Sequence, residues 1–298
     1  MKRQLAALLL TIFALSLTAC GETAAESETR TVYAMDTVMN LTVYGENAAA
    51  ALESAEKELH TLDEAVLSRT AGGSELYALN ASNGETVECG ADDILPALIE
   101  TALTISDATD GAFDPTLAPV LDAWGFTKDE RRVPSADELK ELLSHTGCGK
   151  VALEKTADGW TVTLLDGAQL DLGGIAKGYA SQQVADILQA HGVTSAVVSL
   201  GGNVYVCGAK PDGSAWNVGI QDPTSSGYAA TVALTDCFAV TSGGYQRYYV
   251  AEDGTVYQHI IDPRTGRPAD SDLLSVTVIS DDGTAADAYS TALYVMGE

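Results

Sequence analysis

The spacing of apolar positions along this chain changes several times, and each change marks an element. Residues 31–44 alternate β-forming and polar side chains around Met35-Asp36-Thr37, the two-residue period of a strand with one buried face. Over residues 48–66 the period lengthens to that of a helix, with Leu52, Leu59, Leu62 and Val66 on one side. Residues 91–109 repeat the helical pattern until Asp110-Gly111 stops it, whereas residues 74–80 lie among Gly72, Gly73 and Gly84 and read as turn-rich. A third helix opens at Ser135, with Glu138 placed to complete a capping box. Residues 150–155 and 160–165 flank Ala157-Asp158-Gly159 as a hairpin. Residues 169–172 read as a strand that runs through Gly173-Gly174 into a helix bearing Ala180, Val184, Ile187 and Leu188, closed by His191-Gly192.

Beyond that helix the two-residue period takes over. Short strands are expected at 196–200, 204–208, 216–220, 229–234, 238–241 and 274–280, then a final helix over 283–296. Gly, Asp and Pro between such strands favour antiparallel pairing. The pattern predicts an α+β fold in one domain, a helical first half packed with a strand-rich, mainly antiparallel second half. No tandem repeat interrupts it, and no linker is long enough to force a boundary.

Composition narrows the function. The 298 residues are 46% hydrophobic, enough for a sizeable core, and the formal net charge is −26 at pH 7. No cluster of Lys and Arg exists to displace counterions from nucleic acid, and an anionic membrane surface would repel the chain. A hard cation in a carboxylate site suits it better.

Residues 1–19 are a separate object: Lys2 and Arg3, then an apolar run over 5–17 too short to span a bilayer, then Leu17-Thr18-Ala19-Cys20. This resembles a bacterial lipoprotein signal. It implies cleavage before Cys20, lipidation of that cysteine, a polar tether over 20–30 and residence on the extracytoplasmic side of the cell membrane; an ordinary signal peptide is the alternative. Cys89, Cys148, Cys207 and Cys237 include no C-x-x-C pair, and the histidines are not clustered, which argues against zinc. Export permits disulfides, and all three complete pairings stay open.

Two stretches carry candidate chemistry. In residues 171–180 two glycines stand at a helix start, where free N–H groups and the dipole favour an anion, with Lys177 one turn in and Asp171 beside it. A plain strand-to-helix corner would read the same, and the pattern is neither a Walker A loop nor the G-x-G-x-x-G fingerprint. On the last helix Asp287 and Thr291 are four apart, offering a carboxylate and a hydroxyl to one point, as a hard cation requires. The same spacing also suits a helix start capped at Thr284 with Asp287 near its positive end.

Taken in order, Met35-Asp36-Thr37, residues 110–116 with Trp124-Gly125-Phe126, and residues 171–180, 199–203, 241–247, 259–266 and 286–297 closely resemble the ApbE family, the FAD:protein FMN transferases. The resemblance spans residues 31–298. It implies an enzyme that splits FAD at its pyrophosphate and joins FMN through a phosphoester to a Thr or Ser hydroxyl of another protein, releasing AMP. By similarity Mg²⁺ would be held by Asp287, Thr291 and the backbone carbonyl of Gly174. Asp171 and Lys177 would contact FAD, while Met35, Tyr77 or its neighbour Leu76, Ala112, Phe113, Asp114 and Ile260 would line its pocket. His259 is the candidate base or orienter, with Lys177 and Asp287 as the other catalytic groups.

The implied partners are FMN-binding domains of envelope redox complexes, such as sodium-pumping or electron-bifurcating ones. The chain itself lacks the acceptor pattern Asp-Gly-x-Ser/Thr-Gly-Ala-Thr. Family members continue past the segment matching Val295-Met296-Gly297, so a further short element is expected after Glu298. A Mg²⁺-dependent FAD pyrophosphatase and a non-catalytic FAD-binding lipoprotein are the competing functions.

Overall fold

A computed structural model describes residues 26–298 apart from Thr127 and Asp129; the signal-like segment and Cys20 lie outside the described residues. The core is a six-stranded sheet of β1 (Ser27–Ala34), β2 (Thr37–Tyr44), β3 (Ser195–Leu200), β4 (Asn203–Gly208), β5 (Cys237–Gly243) and β6 (Ser275–Ser280). Every neighbouring pair is antiparallel, and the order across the sheet follows the order along the chain. The α+β class with an antiparallel sheet is therefore as expected, although β1 and β2 come from the first half of the chain.

The helices are α1 (Ala48–Thr61), α2 (Glu75–Asn80), α3 (Ile94–Ala108), α4 (Ala118–Trp124), α5 (Ala136–Leu143), α6 (Ala176–Ala190) and α7 (Gly283–Met296). Alternation along the strands decides what packs where. Met39, Leu41, Val43, Val198, Leu200 and Val240 share one buried face with Leu52, Ala55 and Leu59 of α1, Val184 and Leu188 of α6, and Ala288 and Ala292 of α7. On the opposite face Val206 and Ala239 are covered by the hairpin Trp216–Gln221/Tyr228–Leu234, through Val218, Val232 and Leu234. A satellite core of Leu117, Val120, Trp124, Phe126, Leu139 and Ile261 joins α4 and α5 to the hairpin Tyr248–Val250/Val256–Gln258. Among the described residues no helix is long and apolar enough to cross a membrane.

Several local expectations are corrected. Residues 31–44 are two strands, because Met35 and Asp36 adopt φ of 50° and 55° and turn the chain back on itself; β1 starts at Ser27, inside the stretch read as tether. Paired positive φ values are what a two-residue hairpin needs to match strand twist, and Asp tolerates them better than Met. Residues 74–80 hold the short helix α2 rather than turns alone.

Residues 169–172 are extended but outside any sheet. Their hydrogen bonds go elsewhere: Leu170 N–H to Asn80 Oδ1 at 2.7 Å and Asp171 N–H to Pro115 O at 2.8 Å, with one parallel bridge from Gln169 to Leu117. Ser135 caps α5 by accepting from Glu138 N–H at 3.2 Å, but the Glu138 carboxylate pairs with Arg132 instead of closing the box. The cysteines at 89, 148, 207 and 237 are free thiols.

Candidate active site

Helix α6 begins at Ala176 after a turn, and its N-cap position, Ile175, has no side chain that can accept a hydrogen bond. The acceptor comes from another helix. Asp287 of α7 takes the Gly178 N–H on Oδ2 at 2.7 Å, so a buried carboxylate caps the start of α6 from across the helix interface. This contact requires glycine: a Cβ at position 178 would sit 2.3 Å from Gly283 O and 2.5 Å from Asp287 Cβ. Burial pushes the Asp287 carboxyl up, opposed by the Lys177 charge, the Gly178 N–H and the Asn203 amide.

Thr291, one turn along α7, stands beside Gly174: a Cβ there would lie 3.5 Å from Thr291 Oγ1 and 3.1 Å from the Phe113 ring. Ser242 Oγ approaches Thr291 Oγ1 at 3.4 Å and Ser290 Oγ at 2.8 Å. Asp287, Thr291 and Gly174 thus meet on one wall of a cavity of about 810 Å³. Among the described residues no group of three or more His, Cys, Asp and Glu could hold a metal. One buried carboxylate, a hydroxyl and a backbone region make a hard-oxygen donor set that fits Mg²⁺ completed by ligand phosphates and water.

The rest of the lining suits an anion. Lys177 Nζ reaches only Gly173 O, at 3.2 Å, and neither it nor Arg247 has a carboxylate within ion-pair distance among the described residues. His259 Nδ1 lies 3.0 Å from Arg247 O. A carbonyl only accepts, so the proton sits on Nδ1 and Nε2 keeps its lone pair. Burial, reinforced by the Lys177 and Arg247 charges, pushes the imidazole down to about 4, leaving it neutral at physiological pH.

Met35, Ala112, Phe113, Asp114, Asp171 and Ile260 all line this same cavity. Asp114 commits Oδ1 to its own turn, accepting from Thr116 N–H at 2.8 Å and Thr116 Oγ1 at 2.6 Å. Tyr77 is the exception: it is 42% exposed and outside the lining, while Leu76, fully buried, takes the place. One step along a helix turns a side chain by about 100°, which is enough to move it from cavity to solvent. Arg69, Gln221, Ser242 and Tyr245–Arg247 (residues 245–247) also line the cavity and were not singled out as site residues. Ser242 and residues 245–247 lie within a stretch already quoted; Arg69 had no local signal.

An antiparallel α+β fold thus gathers in one cavity a buried carboxylate with a hydroxyl beside it, two cations without an ion-pair partner among the described residues, and a neutral imidazole, a lining suited to a phosphate-bearing ligand. The chain belongs to the ApbE family, whose model matches residues 35–298. It is 38% identical to the FAD:protein FMN transferase of Treponema pallidum, over 93% of this chain and 81% of that one. Among solved structures, the ApbE protein of Thermotoga maritima superposes with a TM-score of 0.84 at 35% identity, covering 91% of this chain and 87% of that one. The apo flavinyl transferase ApbE of Pseudomonas stutzeri gives 0.80 at 33% identity, covering 92% and 86%.

Proposed function

We propose that this chain transfers FMN from FAD to a Thr or Ser hydroxyl of an acceptor protein, releasing AMP. The observation that carries the proposal is the convergence of Asp287, Thr291, Gly174, Lys177, Arg247 and His259 in one cavity. Flavin transferase activity is what the curated relatives are named for. In the reaction the acceptor oxygen bonds to the FMN-side phosphorus, the P–O bond to the AMP phosphate breaks, and AMP leaves with the electron pair. His259 Nε2 takes the hydroxyl proton, a role its neutral state and free lone pair permit. Lys177 and Arg247 offset the charge that builds on the phosphate oxygens. Asp287, Thr291 and the Gly174 carbonyl are the groups that would hold Mg²⁺, which supplies charge neutralisation at the pyrophosphate. Phe113, Ile260, Leu76 and Met35 supply the apolar walls for the flavin and adenine rings.

A protein acceptor, rather than water, is favoured by the surface around the lining residues. Tyr33 and Val38 pair across β1 and β2 next to the Met35-Asp36 turn, Tyr228 pairs with Gln221, and Tyr248 follows Arg247. All four are at least half exposed, at 70, 52, 73 and 50%, which marks an interaction surface better than a hydrolase mouth. Tethered through Cys20, the enzyme would meet FMN-binding domains of envelope redox complexes. The signal-like pattern of residues 1–20 supports that placement.

The site assignment is tested with Asp287→Ala and AMP release from FAD. The account expects release to fall at least 100-fold, in keeping with loss of an anchoring metal ligand. Unchanged release would remove Asp287 from the site.

A further inference from the structure

One cation in the cavity lining has no part in the reaction as described. Arg69 follows the π-helical turn Leu62–Val66, and its side chain is only 15% exposed. It is held between two carboxylates from different segments: Nε forms an ion pair with Asp171 Oδ2 at 2.6 Å, and Nη1 donates to Asp122 Oδ1 at 2.7 Å. With two carboxylates against it, its charge is compensated and it is a poor anion receptor, unlike Lys177 and Arg247. Its fixed fork instead sets the direction of what it binds.

What it binds leads back to the site. Asp171 uses its other oxygen, Oδ1, to accept the Gly173 N–H at 2.8 Å. Gly173 O receives Lys177 Nζ at 3.2 Å, and the next residue is Gly174, beside Thr291. The Arg69–Asp171 ion pair therefore continues through the Asp171–Gly173 hydrogen bond to the turn that presents both Lys177 and Gly174. Without Arg69, the Asp171 carboxylate would keep a single hydrogen bond and be free to rotate about it.

We propose that Arg69 is a positioning residue: acting through Asp171, it holds the Gly173–Gly174 turn (residues 173–174) in the conformation that receives the pyrophosphate of FAD. This rests on the flavin reading above. The competing role is a structural tie from the loop to α4 through Asp122, which also takes Lys128 at 3.3 Å.

The test is a mutant cycle read by FAD dissociation constant, from flavin fluorescence without acceptor, so that turnover is not the readout. Arg69→Met and Asp171→Asn should each weaken binding about ten- to hundredfold, the range for groups that orient ligands from behind. The double variant should bind no more weakly than Asp171→Asn alone, and Asp122→Asn should stay within about twofold of the native chain. Losses that multiply in the double variant, or an Arg69→Met chain that binds FAD as the native one does, overturn the proposal. So does a larger loss from Asp122→Asn than from Arg69→Met. Should Arg69→Met not fold, Arg69→Lys keeps the charge without the fork: several-fold weaker binding supports the proposal and native binding overturns it. FMN transfer by the native chain is measured alongside. Intact FAD binding with no transfer contradicts the transferase reading alone, and intact transfer with an additive cycle contradicts the role of Arg69 alone.

Discussion

His259 is useful because it is uncharged. Its pKa of about 4 lies below the ordinary 6.5, so the base form is complete at neutral pH and is lost only in acid. The acid limb of kcat/KM should therefore fall near pH 4 and not near 6.5, and His259→Gln should abolish that limb along with most of the rate; a pH–rate profile checks both. The same depression has a stability sign. Between pH 6.5 and 4 the unfolded chain binds the proton and the native one does not, so stability is full above 6.5 and declines as pH falls through that window.

Asp287 has the opposite sign. Burial raises its pKa, so the native state favours the protonated form and carrying the charge at neutral pH costs stability. Asp287→Asn, which keeps an oxygen for the Gly178 N–H, should raise Tm without Mg²⁺ and lose the Mg²⁺-induced rise; thermal melts with and without the ion check this. For the native chain that rise corresponds to about 2.7 kcal/mol at a concentration 100-fold above Kd. Most site residues were legible because each lies in a short ordered pattern. Arg69 was not, since its significance comes from carboxylates 53 and 102 positions away that only folding brings together.

At the scale of elements, the site depends on how closely α6 and α7 approach. Gly178→Ala would drive a methyl into Gly283 O and Asp287 Cβ, at distances no real contact shows, so the helices must part. An overpacking cost of about 1–3 kcal/mol is expected, seen by denaturant melts, together with loss of transfer because Asp287 is displaced. Gly192, with open space around a Cβ and φ of 70°, should show only the smaller backbone penalty of about 1 kcal/mol and full activity. Helix periodicity marked α1, α3, α6 and α7 well, since each has one buried face. The β1–β2 turn was hidden because Met35 is an unusual residue at positive φ; the only trace is a change of phase, from buried Val32 and Ala34 before it to buried Met39, Leu41 and Val43 after it. Residues 169–172 misled for the converse reason: they alternate like a strand, yet a side chain and a loop carbonyl, not a neighbouring strand, satisfy their backbone.

The whole molecule is strongly acidic, with a formal net charge of −26, yet its cavity carries Lys177 and Arg247 without an ion-pair partner among the described residues. Sequence alone could show antiparallel strands but not that their order in the sheet repeats their order in the chain, because pairing across the roughly 150 residues between β2 and β3 leaves no local trace. Nor could it show that exposed Tyr33, Val38, Tyr228 and Tyr248 each stand next to a lining residue or the turn that carries one. If they receive the acceptor, Tyr248→Ser together with Tyr33→Ser should raise KM for the acceptor about tenfold while leaving KM for FAD unchanged, as steady-state kinetics with each substrate varied would show.

The most direct test of the central claim is the intact mass of a small FMN-binding domain after incubation with residues 20–298, FAD and Mg²⁺. The account predicts a gain of one FMN on the acceptor, lost when its target threonine becomes alanine and lost with Asp287→Ala in the enzyme. An unchanged acceptor mass, with FMN and AMP accumulating free in solution, would contradict it and make the protein a pyrophosphatase.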